Sequence, residues 1–266
     1  MKCVIIRRTA SALILLCLLF QESSADTKLH IYKTGTEFSL TATWWGLTAN
    51  GTMEVVGKTK FRGKDTILVR SQVTELGGFL GFIVKFLRIY KESNTFDSYI
   101  DPDTLTPVRY EVYRLNKDGS KKLNEHIYFD RKLNRIVSLE DDSAILINAP
   151  PDTQDIFSSF LSLIRRFNAE RLFVGKRFYM NVYMYKKISR VETEVTDITP
   201  VNGMPVYTLR IEKLPDIFKY PASIVFDVAD VGGGFKFPTT GKCTINVPVL
   251  KGITVDGELR EIKRAS

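Results

Sequence analysis

The sequence contains few of the residues on which metal sites and disulfide-stabilised folds depend. It has three cysteines and two histidines among 266 residues, far fewer cysteines than a disulfide scaffold uses. Cys243, His30 and His126 lie far apart and form no recognised metal-ligand spacing. We therefore predict no metal site and no cofactor. Cys243 lies in an alternating stretch, and we expect it to be a small buried side chain.

Motifs for common enzyme and nucleic-acid functions are absent as well. No Gly-x-Ser-x-Gly elbow of a serine hydrolase occurs. The glycines at 232–234 lack the spacing of a phosphate-binding loop and fit a loop or bulge between strands. The formal charge of +8 is spread along the chain without a basic block. This argues against nucleic-acid binding and suits either contact with anionic lipid headgroups or solubility. We expect a protein that is not an enzyme.

The first 25 residues have the three parts of a secretory signal peptide. Lys2, Arg7 and Arg8 give a positive start, an apolar run follows, and small residues lead up to Ala25. The apolar run is shorter than the roughly 20 residues that cross a bilayer; an uncleaved anchor is the alternative. We predict cleavage after Ala25 and an exported, periplasmic protein made of residues 26–266.

Residues 26–266 are dominated by apolar and polar side chains that alternate with a period of two. About a dozen such segments predict a mainly β fold, either a curved antiparallel sheet or an open barrel or sandwich. One or two amphipathic helices accompany it. The predicted strands are 36–44, 53–61, 66–74, 96–100, 108–115, 125–130, 135–139, 177–185, 189–198, 206–212, 223–228, 242–247 and 254–262.

Glycine, asparagine, aspartate and proline separate the predicted strands, as expected for tight turns. The predicted turns are Asn50-Gly51, Arg62-Gly63-Lys64, Asp101-Pro102-Asp103, Lys117-Asp118-Gly119 and Asn202-Gly203.

A group of carboxylates offers an alternative to the turn at Asp101. Asp97, Asp101 and Asp103 could bind calcium, or could act with Arg109 as acid and base. The turn explains Asp101 and Asp103 without a ligand. The acidic run 140–142 is similarly expected to be a solvated loop.

Residues 152–171 follow a helical pattern. Pro150-Pro151-Asp152 combines a stop with an N-cap residue, and apolar side chains recur three and four residues apart. We predict an amphipathic helix whose apolar stripe fills the curved sheet. The prolines mark a seam near residue 150 between two β-rich halves of one domain. The stripe consists of Ile156, Phe157, Phe160, Leu161 and Ile164.

Residues 76–90 are unusually apolar. On a helical wheel, Phe79, Ile83 and Phe86 share a face, with Lys85 and Arg88 opposite. This pattern predicts an interfacial helix that contacts a membrane peripherally, or a lid over an apolar cavity. A buried strand is the alternative, because apolar residues also occur off that face.

Three stretches, residues 35–51, 97–110 and 248–259, resemble an exported bacterial family known only as the domain of unknown function DUF3108. A Gly-Thr-Glu start leads to an aromatic strand in the first stretch, and Asp-Ser-Tyr-Ile-Asp-Pro-Asp-Thr opens the second. The chain departs from the family near residues 237–243, where a Trp-containing strand is expected. The resemblance implies a periplasmic β-rich protein and carries no established activity or catalytic residues.

The leading functional hypothesis is a non-catalytic periplasmic carrier of an apolar ligand such as a lipid. Export, a curved sheet, a filling helix and the apolar segment 76–90 together favour it. The alternative is a structural or assembly partner of cell-envelope machinery, in which strand edges or the same segment dock an envelope protein. The predicted ligand lining is Trp44, Trp45, Phe79, Phe82, Ile83, Phe86, Phe157 and Phe160.

Overall fold

A computed structural model describes residues 33–44, 47–76, 94–115, 120–140, 143–184, 186–212, 222–245 and 253–263. In these ranges the chain forms one helix, α1 (Ile156–Ala169), and 14 strands. The mainly β fold predicted from the sequence is confirmed. The strands are β1 (Glu37–Trp44), β2 (Leu47–Phe61), β3 (Lys64–Leu76), β4 (Asn94–Ile100), β5 (Pro107–Leu115), β6 (Lys121–Asp130), β7 (Arg135–Glu140), β8 (Ser143–Asn148), β9 (Arg177–Met184), β10 (Lys187–Val201), β11 (Met204–Glu212), β12 (Ala222–Asp230), β13 (Lys236–Ile245) and β14 (Ile253–Lys263).

All of these strands belong to one antiparallel sheet in the order β8-β7-β6-β5-β4-β3-β2-β1-β14-β13-β12-β11-β10-β9. The first eight strands form one half and the last six form the other, and the halves meet where β1 pairs with β14. The edge strands β8 and β9 are not paired with each other, so the sheet is open. Within the sequence, α1 connects these two edges.

Alternating side chains give the sheet an apolar inner face. On β1, Phe38, Leu40 and Ala42 are buried on this face, as the period of two requires. The hairpin tips of Arg62-Gly63 and Asn202-Gly203 have positive φ at both residues, which is the type I′ geometry that matches strand twist. Both predicted turns are confirmed.

The turn predicted at Asn50-Gly51 is wrong. Both residues lie within β2, where Asn50 pairs with Thr41 and accepts a hydrogen bond from its hydroxyl at 3.0 Å. A register shift between Asn50 and Gly51 in the pairing with β3 accommodates them. The chain instead reverses after Trp44, which pairs with Leu47.

Helix α1 begins later than the sequence pattern indicates. Its N-cap is Asp155, not Asp152, and a reciprocal capping box joins Asp155 to Ser158. The Asp155 carboxylate accepts a hydrogen bond from the N–H of Ser158, and the helix therefore begins at Ile156. It ends at Ala169, before the predicted Arg171.

The apolar stripe of α1 packs against the inner face of the sheet, as predicted. Phe160 contacts the stacked pair of Phe38 and Phe237 edge-on, with ring centroids 6.5 and 5.9 Å away. Phe167 packs edge-on against Phe178 at 5.5 Å. Aromatic pairs of this kind add to the stabilisation from buried area alone. One continuous hydrophobic core therefore includes α1 and strands of both halves.

Several predicted features lie outside the described residues. These are the signal peptide and its cleavage site, residues 77–90 of the predicted lid, and the turn at 117–119. In the part of the chain that the structure describes, no helix is long and apolar enough to cross a membrane.

Candidate functional site

The two ends of the curved sheet carry different interiors. At the helix end, where β1 begins, Asn168 of α1 bonds both the N–H and the carbonyl of Lys236, each at about 2.8 Å. Arg165 donates to the carbonyls of Asp103 and Thr104 at 2.8 and 3.0 Å. These hydrogen bonds fasten the last turns of α1 to the helix end. The far end is the opposite one, where β1 ends at Trp44.

Inner-face side chains become smaller along β1 from the helix end to the far end, in the order Phe38, Leu40 and Ala42. Neighbouring strands also carry small inner-face residues towards the far end. We call these residues the small-residue wall, which consists of Gly51 of β2, Ala42 of β1, Gly257 of β14 and Gly241 of β13.

Most of the small-residue wall is shielded from solvent. Ala42 is 3% exposed, Gly51 and Gly257 are buried, and Gly241 is partly exposed. Register brings the members together, since Ala42 pairs with Gly257, and Gly257 pairs with Gly241. At the helix end, large side chains such as Phe38 and Phe237 fill the interior. At the far end the wall itself contributes almost no side-chain volume to the interior.

Only part of the predicted ligand lining can be placed. Phe157 lies about 6.1 Å from both Phe96 and Tyr110, and Phe160 belongs to the aromatic group at Phe38. Both are buried in the core. Trp44 ends β1, and its side chain is outside the described residues, as are Trp45, Phe79, Phe82, Ile83 and Phe86.

Residues 149–155, which we call the connector, link β8 to α1 and line the open side of the sheet. Gln154 forms two backbone hydrogen bonds with β9, to Asn181 and from Tyr183, both at 2.7 Å. Arg131 donates to the carbonyls of Pro151 and Thr153, at 2.8 and 2.7 Å. The connector is thereby attached to β9 on one side and to the β6–β7 turn on the other.

Polar groups also bridge the two edges of the sheet. On β6, Glu125 accepts hydrogen bonds from Ser138 at 2.7 Å and from Tyr183 of β9 at 3.3 Å. Burial, followed by the charge of Glu125, raises the pKa of Tyr183. Tyr183 is therefore a neutral hydrogen-bond donor that joins the two halves of the sheet.

Asp155 is a buried carboxylate at the start of α1. Its side chain accepts hydrogen bonds from the N–H of Ser158 and the hydroxyl of Ser98. Burial raises the pKa of Asp155 above its ordinary value, and the hydrogen bonds from Ser158 and Ser98 oppose this shift. The role of Asp155 is to position the helix inside the sheet.

A second cluster, on the outer face, surrounds the fully buried Glu111. Glu111 pairs with Arg109, accepts from the Tyr113 hydroxyl at 2.8 Å, and lies 3.4 Å from Nε2 of His126. Arg109 stacks between the Tyr99 and Phe61 rings at 4.9 and 5.4 Å. This outer cluster comprises Phe61, Arg62, Tyr99, Arg109, Glu111, Tyr113, His126 and Tyr128.

The outer cluster fastens the tip of the β2–β3 hairpin to strands β4, β5 and β6. Phe61 and Arg62 from the tip cover Tyr128 of β6, with the Phe61 ring 5.8 Å and the Arg62 guanidinium 5.0 Å from its centre. Burial and the charge of Arg109 lower the pKa of His126. His126 is neutral at neutral pH and packs on Tyr128 at 4.2 Å.

Sequence reasoning missed the outer cluster. The available signal was that Arg109, Glu111 and Tyr113 occupy alternate positions of one strand, so they share a face. Sequence alone does not give the register that brings His126 of β6 opposite Glu111.

The carboxylates that suggested calcium or acid–base chemistry do not converge. Asp97 forms a bidentate pair with Arg70 at 2.7 and 2.8 Å. Asp101 accepts from the N–H groups of Asp103 and Thr104, both at 3.0 Å, which is the predicted turn. Among the described residues, no three His, Cys, Asp or Glu side chains are grouped to hold a metal ion. Cys243 is a buried free thiol, as predicted.

A family model described as a protein of unknown function, DUF3108, matches residues 37–247. The chain belongs to the DUF3108 family. The resemblance read from the sequence motifs is confirmed. Among solved structures, this DUF3108 chain is similar to a β-barrel-like protein of the domain of unknown function DUF1849 from Brucella abortus. The two chains share 11% identity with a TM-score of 0.47, over 87% of this chain and 98% of that chain. Among curated proteins, none matches this DUF3108 chain.

Proposed function

We propose that this DUF3108 protein is a non-catalytic periplasmic carrier of an apolar ligand such as a lipid. The supporting observation is the decrease in side-chain size along β1, from Phe38 at the helix end to Ala42 in the small-residue wall. Ligand sites are mostly apolar and shielded from water. The wall is apolar and mostly buried, and the apolar segment 76–90 is the proposed lid or membrane contact.

The helix end is occupied by α1, which is fastened there by Arg165 and Asn168, and by tight turns such as Arg62-Gly63. The predicted signal peptide supports export, and the outer cluster has a structural explanation that requires no substrate. A carrier that takes up its ligand through the far end is consistent with these features.

The test is native mass spectrometry of the protein purified gently from the envelope fraction, followed by organic extraction. We expect a bound lipid of defined mass. Ala42→Phe should displace it, because the new ring projects from the small-residue wall. Thr43→Phe is the matched control, since Thr43 lies on the opposite face of the same strand, and it should retain the lipid. Equal retention by both variants would place the ligand elsewhere, and an apo wild-type protein would argue against a carrier.

The alternative, an assembly partner of envelope machinery, is supported by edge strand β8. Its Ile145 and Leu146 are 36% and 64% exposed, and one edge of the strand has no neighbour in the described sheet. Long apolar edges accept added strands. A pull-down that yields one stoichiometric envelope protein, lost in Leu146→Lys and without co-purified lipid, would favour this function over the carrier.

A further inference from the structure

Four buried polar atoms around β9 and β10 have no hydrogen-bond partner among the described residues. They are Oε1 of Gln154 and the hydroxyl oxygens of Ser162, Ser189 and Thr193. All four residues are more than nine-tenths buried, and Thr193 is completely so. Buried polar groups are nearly always hydrogen-bonded in folded proteins. These atoms therefore require a partner.

The four residues border one sector of the interior. Ser189 and Thr193 alternate with Val191 and Val195 on the buried face of β10. Ser189 pairs with Val182 of β9, and Gln154 of the connector forms its backbone hydrogen bonds on either side of Val182.

Ser162 of α1 faces the same sector. One turn after it, Arg166 lies 4.8 Å over the ring of Phe178 and donates to the carbonyl of Tyr179. Residues four apart share a helix face, and Phe178 pairs with Thr193. The helix thus directs Ser162 towards β9 and towards β10, which carries Ser189 and Thr193.

The chemistry of these groups is neutral. Each hydroxyl donates one hydrogen bond and accepts others, and the amide oxygen accepts. The neighbouring carboxylates are already engaged, Asp155 with Ser98 and Ser158, and Glu125 with Ser138 and Tyr183. The neighbouring cations are engaged as well, Arg166 and Lys176 with Glu170, and Arg131 with the carbonyls of Pro107, Pro151 and Thr153. An ionised ligand group would be buried there without a counter-charge, which is strongly unfavourable.

We infer that the ligand is a neutral amphiphile whose hydroxyl or amide group hydrogen-bonds to this polar sector while its chain occupies the space beside the small-residue wall. The inference rests on the proposed carrier function and adds the chemical class of the ligand. A monoacylglycerol has the required features, whereas an ionised fatty acid does not.

The experiment compares three probes of equal chain length, namely monoolein, oleate at alkaline pH and octadecene. Their affinities are measured on the purified protein by displacement of the neutral dye diphenylhexatriene. We expect monoolein to bind at least about tenfold more tightly than oleate, because the carboxylate of oleate would be buried without a free counter-charge. Equal binding of monoolein and oleate would overturn the inference.

Thr193→Val removes the hydroxyl at nearly constant shape. It should weaken monoolein binding about tenfold and leave octadecene binding unchanged. Thr193→Ser should restore monoolein binding, and Thr199→Val, on the exposed part of the same strand, should have no effect. Circular dichroism establishes that each variant is folded. If Thr193→Val does not fold, Ser189→Ala, which removes another of the hydroxyl groups, takes its place in the test.

The failures are distinguishable. If all three probes bind and neither Thr193→Val nor Ser189→Ala changes the preference, ordered water satisfies the four atoms, and the carrier stands without the inferred ligand class. If the wild-type protein binds none of the probes, the carrier function itself fails.

Discussion

The helix end and the far end of the sheet share the same strands but differ in what occupies the interior. At the helix end, Phe38, Phe237 and Phe160 form a closely packed aromatic group. At the far end, Ala42 pairs with Gly257 on the neighbouring strand, and Gly257 pairs with Gly241 on the next. Burial of large side chains supplies the stability of the fold, so the helix end can stabilise a sheet whose other end accommodates the ligand in the proposed carrier.

The comparison is sharpest on a single strand. β13 carries Phe237 near one end and Cys243 near the other, and both are buried. The difference between the ends is therefore one of side-chain volume. Each of the following predictions tests whether that volume difference has the consequences we assign to it.

The largest effect is expected for Phe237→Ala. The substitution removes a completely buried ring that stacks on Phe38 at 5.3 Å, and we expect it to lower the free energy of unfolding by about 3–5 kcal/mol. Urea denaturation measures this loss. Cys243→Ala on the same strand is the control and should cost about 1 kcal/mol or less. A cost for Cys243→Ala equal to that for Phe237→Ala would show that the two ends are packed alike.

An intermediate, pH-dependent effect is expected for Asp155→Asn. Burial raises the pKa of Asp155 above its ordinary value of 3.8, so the folded state holds the proton more tightly than the unfolded state. The carboxylate therefore destabilises the fold increasingly as pH rises from that value through the folded pKa. Relative to wild type, Asp155→Asn should gain stability over this range, measured as the free energy of unfolding at several pH values.

Asp101→Asn is the control of opposite sign. Partial burial raises the pKa of Asp101, but the N–H groups of Thr104 and Asp103 outweigh this and lower it overall. Its carboxylate stabilises the fold at neutral pH and loses that contribution as pH falls through the folded pKa. Asp101→Asn should therefore be less stable than wild type at neutral pH and approach it in acid. The same pH trend in both variants would contradict the assignment for Asp155.

The smallest effect is expected for Ala42→Leu. Extra methylenes in a well-packed core typically cost about 1–3 kcal/mol, but Ala42 pairs with two small residues, Gly257 and Ala49. We expect a change in the free energy of unfolding of less than about 1 kcal/mol, measured by urea denaturation. A loss comparable to that of Phe237→Ala would mean that the far end is already filled.

Much of the fold could be predicted because it depends on local alternation. Each predicted strand overlaps an observed one. The residues Arg62-Gly63 and Asn202-Gly203 form the turns that their sequence predicts. β8 was not predicted, since Ala144, Ile145, Leu146 and Ile147 form a continuous apolar run with no alternation. Asn50-Gly51 has turn chemistry that tertiary pairing overrides.

The candidate site could be predicted only in part. The stripe of α1 was readable because helical spacing brings Phe157, Phe160 and Ile164 onto one face. The small-residue wall was not, because Ala42, Gly257 and Gly241 become neighbours only through the pairing of distant strands. The same holds for Gln154 and Ser189, which sequence separates and the edge of β9 brings together.

The pairing of β1 with β14 has a consequence for the order of folding. Each half of the sheet is built by pairing strands that are consecutive in the chain, and such local pairs close at a lower entropic cost than distant ones. The central pair joins Phe38 to Ile262, so it can form only after almost the whole chain has emerged. We expect the middle of the finished sheet to be its latest-formed part, and a chain truncated before β14 to leave the edge of β1 without its partner.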